Sequence, residues 1–116
     1  MEADLVIGLA LAGITLGIVE EVLPLEFALL QNYPNPFNPS TQIMYTLPKT
    51  SSVKIVIYDM LGLKVRTLFS GSQDAGYKNV LWNATNDQGG PVSAGMYIYT
   101  IEAESFFASK KMILLK

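Results

Sequence analysis

The chain has neither cysteine nor histidine in its 116 residues. The first absence excludes disulfide staples, thiolate metal sites and cysteine nucleophiles; the second excludes imidazole acid–base chemistry. Charge is also scarce, since 16% of residues are ionisable Asp, Glu, Lys or Arg and the net charge is −2. No cluster of Lys and Arg is interleaved with aromatics, so nucleic acid is not expected as a partner. Glu20-Glu21 is the one adjacent acidic pair. Adjacent side chains do not face each other on a helix or a strand, so the pair does not supply a general acid opposed to a base. The inventory points away from an enzyme, and neither a cofactor nor a metal is expected.

Apolar residues, in contrast, make up 50% of the chain, ample for the core of one domain. They are unevenly spread. Residues 5–19 are apolar apart from Thr15, and as a helix they would span about 22 Å, short of the roughly 30 Å hydrocarbon core of a bilayer. Their flanks are acidic, unlike the basic lead of a signal peptide. Gly13 and Gly17 form a G-x-x-x-G pair that suits close helix packing. Three readings stay open: a buried or membrane-associated helix, a segment that adds to a sheet, or the tail of an upstream domain. Residues 1–22 are therefore read as an apolar segment plus linker, with residues 5–19 a candidate for self-association. Charge is polarised along the chain. Residues 1–26 hold Glu2, Asp4, Glu20, Glu21 and Glu26 with no base, and residues 106–116 hold Lys110, Lys111 and Lys116 with no acid.

Residues 31–41 read Gln-Asn-Tyr-Pro-Asn-Pro-Phe-Asn-Pro-Ser-Thr. Pro34, Pro36 and Pro39 fix their own φ and bias the residues before them toward extended backbone, so this strap is neither helix nor mid-sheet strand. After Thr41 the pattern alternates with period two. Ile43, Tyr45 and Leu47 share one face of a first strand that Pro48 ends. Val53, Ile55 and Ile57 alternate with Lys54, Val56 and Tyr58. Asp59 to Gly62 is a turn, with Gly62 suited to positive φ. A less regular strand runs from Lys64 to Phe69, and residues 71–76 read as a polar loop. Lys78, Val80 and Trp82 oppose Asn79 and Leu81. Residues 83–91 are turn chemistry. Tyr97, Tyr99, Ile101 and Ala103 share a face, and residues 106–115 form the last strand. With six to seven short strands and no helical period between them, the expected fold is all-β, an Ig-like antiparallel β-sandwich. Asn83, Asn86, Asp87 and Asp59 offer oxygens, but no closing acid completes a calcium loop, so a plain turn is expected.

The strap Leu23-Pro24-x-x-Phe27-x-Leu29-x-Gln31-Asn32-Tyr33-Pro34-Asn35-Pro36-Phe37-Asn38-Pro39 resembles the opening of the type A C-terminal sorting domains of the type IX (Por) secretion system. Tyr58-Asp59-x-x-Gly62, Val65-Arg66-Thr67-Leu68, Trp82, Gly95-x-Tyr97 and Ser109-Lys110-Lys111-Met112 follow in the family's order, so the resemblance covers residues 23–116. The middle section is similar also to the Ig-like domain of the flagellar hook-capping protein. Asn83-Ala84 after Trp82, and Tyr77-Lys78 after Ala75-Gly76, depart from the sorting-domain pattern. The resemblance implies a non-catalytic signal at the end of an exported passenger, travelling through the periplasm to the cell surface or beyond. Its implied partners are the outer-membrane translocon and a sortase, which would act near residues 20–27.

Five tail residues are the recognition candidates: Lys110, Lys111, Met112, Leu114 and Lys116. An edge strand offers its backbone to a receptor strand while lysines attract an acidic surface; lysines equally shield an edge from aggregation. Asn35, Pro36, Phe37, Asn38, Pro39, Tyr58, Asp59, Gly62, Trp82, Gly95 and Tyr97 are motif residues with mainly structural roles. Because the tail is terminal, its removal is expected to leave folding intact. The alternative function is structural, an Ig-like assembly domain of hook-cap or filament type that uses the apolar N-terminus for subunit contacts.

Overall fold

The computed structural model describes residues 22–115; residues 5–19, Glu20, Glu21 and Lys116 lie outside them. Seven strands form two antiparallel sheets: β1 (Ala28–Leu29), β2 (Thr41–Leu47), β3 (Ser51–Asp59), β4 (Lys64–Gln73), β5 (Gly76–Trp82), β6 (Gly95–Ala103) and β7 (Phe106–Leu114). One sheet has the order β1-β2-β5, the other β4-β3-β6-β7. The Ig-like sandwich is the observed architecture.

Alternation builds the core directly. Thr41, Ile43, Tyr45 and Leu47 of β2 turn inward, as do Val53, Ile55 and Ile57 of β3 and Tyr97, Tyr99, Ile101 and Ala103 of β6. Trp82, fully buried at the end of β5, fills one end of the space between the sheets. Its ring lies 5.7 Å from that of Phe37 and 5.3 Å, edge-on, from that of Tyr97, and its Nε1 donates to the Thr85 carbonyl at 2.8 Å. An indole is tolerable at that depth because its one donor is satisfied.

Two features differ from the sequence expectation. The loop expected at residues 71–76 shrinks to Asp74 and Ala75, because Gly71, Ser72 and Gln73 continue β4 opposite Val53, Ser52 and Ser51. The irregular pattern of β4 also has a cause: its register against β3 shifts between Ile55 and Val56 and again between Ile57 and Tyr58. Each extra residue flips the inward–outward alternation.

All turns of the sandwich fall at its two ends. At one end stand the β2–β3, β4–β5 and β6–β7 connections. At the other stand the β3–β4 turn, the loop from β5 to β6, the strap and the end of β7.

Candidate functional site

β7 is an edge strand, so one row of its backbone groups faces away from β6. The strap occupies half of that row. Phe37 bridges Leu114 in parallel: its N–H donates to the Ile113 carbonyl at 3.0 Å, and its carbonyl accepts from Leu115 N at 2.8 Å. Asn35 Oδ1 accepts from Ile113 N at 3.0 Å, and Gln31 Nε2 donates to the Lys111 carbonyl at 2.8 Å. The open edge expected along residues 110–116 is therefore largely taken by the strap, and among the described residues it is residues 107–109, ahead of that segment, whose outer side has no backbone partner.

A buried polar cluster holds the strap in place. Asn32 is 2% exposed. Its side chain donates to Thr41 Oγ1 at 2.9 Å and to the Pro34 carbonyl at 3.1 Å, and accepts from Gln31 Nε2 at 2.7 Å. Thr41 Oγ1 donates in turn to the Pro34 carbonyl at 2.8 Å. The Asn32 amide donates to Tyr99 Oη at 2.8 Å, and that hydroxyl donates to the Leu30 carbonyl at 2.7 Å. Buried polar groups are tolerable only when partnered in this way. Burial pushes the Tyr99 phenol up to about 12, outweighing the opposing effect of the Asn32 amide.

The motif residues fall into groups. Phe37 and Trp82 are core residues in contact, and Asn35 is a cap on β7. Pro36, Asn38 and Pro39 are exposed on the strap. Asp59 Oδ1 accepts from the amides of Leu61 and Leu63 at 2.9 and 3.0 Å, closing the β3–β4 turn, in which Gly62 takes φ 85°. Tyr58 is half-buried on the outer face, opposite Lys64 and Ile98. Gly95 opens β6 at φ 144°, and Tyr97 donates its hydroxyl to the Ser93 carbonyl at 2.6 Å. Burial, then the Asp59 carboxylate, raise the Tyr97 phenol above its ordinary value. In the 83–91 loop, Asn86 Oδ1 accepts from the amides of Gln88 and Gly90, and Asp87 Oδ1 from that of Thr67. These oxygens hold the loop and the neighbouring strand.

The tail candidates separate by face. Met112 and Leu114 are 0% and 1% exposed. This corrects their expected place on a recognition surface: their side chains belong to the core. Lys111 is exposed on the outer sheet face beside Ile113, and Lys110 is half-buried on the core-facing side at the edge. Gln31, Asn32 and Tyr99 hold the strap in place, and sequence reasoning did not single them out. The burial of Asn32 depends on contacts with residues up to 67 positions away, which no local pattern signals.

A family model described as the FlgD Ig-like domain matches residues 38–106. A comparison with curated proteins gives no match. Among solved structures, that of dimeric latent PorU from Porphyromonas gingivalis is similar with a TM-score of 0.61 at 21% identity, over 85% of this chain. PorZ from the same organism, described as an essential surface component of the type-IX secretion system, is similar with a TM-score of 0.50 at 20% identity, over 74%. This chain spans 10% and 11% of those two proteins, so the likeness is to one part of each and concerns the fold. By its matched strands and their sandwich, the chain belongs to the FlgD Ig-like domain family.

Proposed function

We propose that this chain is a secretion-targeting module of the type IX system, bound by the export translocon and without catalysis of its own. The observation that carries the reading is the placement of the residues outside the family match. Gln31, Asn35 and Phe37 precede residue 38; Lys111, Ile113 and Leu115 follow residue 106; and these two flanking sets bond to each other. The strap and tail thus form a clasp from segments that lie outside the matched residues and that resemble sorting domains. The description of PorZ as a type-IX component supports the same reading. In it, Lys111 and the open edge of β7 at residues 107–109 face the receptor, an upstream passenger is joined ahead of residue 22, and a sortase acts near residues 20–27.

The test is a fusion of residues 20–116 to a periplasm-directed fluorescent reporter in a bacterium with type IX secretion, beside a strain lacking the translocon. Translocon-dependent reporter outside the cell is expected, with reduced export for Lys111→Glu. Retention of a folded reporter in the periplasm overturns the reading. The match to the FlgD Ig-like domain favours a second one, a structural assembly domain, which predicts that the purified chain forms oligomers through residues 5–19.

A further inference from the structure

Hairpin turns are ordinarily built of small polar residues, but the β3–β4 turn carries Met60, Leu61 and Leu63, which are 51%, 85% and 61% exposed. The turn is fixed. Besides the two bonds accepted by Asp59 Oδ1, the Gly62 amide donates to the Asp59 carbonyl, and the Asp59 amide to the Leu63 carbonyl, each at 3.0 Å. Its apolar side chains are therefore held outward on a hydrogen-bonded support, outside the core cluster of the sandwich.

Strand register extends this tip into a patch. Asp59 pairs with Tyr97, so the next row outward holds Met96 and its partner Ile113, 40% and 37% exposed on the outer sheet face. The row behind contains Lys64, Tyr58, Ile98 and Lys111, which sets an exposed lysine on each flank of the sheet. Of the acids at this end among the described residues, Asp59 and Asp87 each turn a carboxylate oxygen onto backbone N–H groups. Glu26, Asp74, Glu102 and Glu104 lie toward the opposite end. Large exposed apolar clusters mark interaction surfaces.

We propose that this end of the sandwich docks on an anionic lipid surface, with Met60, Leu61 and Leu63 entering the interface and Lys64 and Lys111 meeting headgroup phosphates. The shape decides between occupants. A convex apolar tip fits a protein only if that protein supplies a matching pocket, whereas a fluid interface accommodates it directly, and a lysine rim complements anionic headgroups. The proposal does not rest on the secretion reading, with which it shares Lys111 alone; its apolar tip belongs to neither the strap nor the tail.

The test uses the full chain, which has no cysteine and so accepts a single label. An environment-sensitive fluorophore is placed at Leu61→Cys, or at Lys49→Cys on the opposite end. Each protein is titrated with phosphatidylcholine vesicles, with and without phosphatidylglycerol. A blue shift is expected at position 61 with the anionic vesicles, reversed by salt, and none at position 49. In the otherwise unlabelled chain, Met60→Ser with Leu61→Ser and Leu63→Ser should weaken vesicle binding by about tenfold or more, from the lost apolar transfer, at unchanged Tm. No shift at position 61, equal shifts at both positions, or equal binding by the triple variant overturns the proposal. Loss of reporter export by the triple variant, without a shift at position 61, assigns the tip to a protein pocket and overturns lipid docking as well.

Discussion

Asn32 is a single amide on which two parts of the molecule depend. Its side chain satisfies Thr41 and the Pro34 carbonyl, and its backbone N–H reaches the Tyr99 hydroxyl. Replacing it with Ala leaves buried acceptors short of a donor, so Asn32→Ala should cost about 1–3 kcal/mol in urea unfolding. Trp82→Ala should cost about 3–5 kcal/mol by the same measurement, because a fully buried indole leaves a cavity between Phe37 and Tyr97. Tyr99 gives a pH dependence of determined sign. Its phenol is pushed up to about 12 in the folded chain, against about 10 when unfolded. The unfolded state then loses the proton first, so this contribution is complete below about pH 10 and is lost as pH rises toward 12. Thermal melts should show Tm falling across that interval, and Tyr99→Phe should flatten the slope while lowering Tm at pH 8.

β7 shows how an element's two faces divide its work. Met112 and Leu114 close the core, while Lys111 and Ile113 look outward. Deleting residues 110–116 therefore removes two buried side chains and the strand that receives the strap, so the truncated module should fail to fold cooperatively by circular dichroism. This reverses the expectation drawn from the tail's terminal position. A gentler probe is Asn35→Ala, which takes the acceptor from the Ile113 amide; hydrogen exchange there should quicken while Tyr97 and Tyr99 amides stay protected. Elements were legible where alternation was undisturbed, as in β2 and in β6 from Tyr97 onward. β4 was obscured by its two register shifts, and its last residues, Gly71-Ser72-Gln73, have loop composition although β3 pairs with them. β1 has two residues, too few to show any period. The strap was recognisable as stiff and extended, but its partner was not: Gln31 and Lys111 are 80 positions apart, and only the closed sandwich brings them together.

At the scale of the whole molecule, the strap and the tail fasten a family framework at one edge. If that clasp serves export, the purified chain and a version starting at residue 20 should both be monomeric by light scattering. A dimer formed by the longer chain alone would favour assembly through residues 5–19. The direction of the clasp has a mechanical consequence. Phe37 runs parallel to Leu114, and the contacts from Gln31 to Phe37 climb β7 in the same sense as the chain. Tension drawn between the chain ahead of the strap and the end of the tail would slide the two strands along each other, loading the clasp's hydrogen bonds in shear and together instead of peeling them one by one. Pulled from its ends, the module should thus rupture abruptly and at high force, and Asn35→Ala should lower that force without changing the distance released.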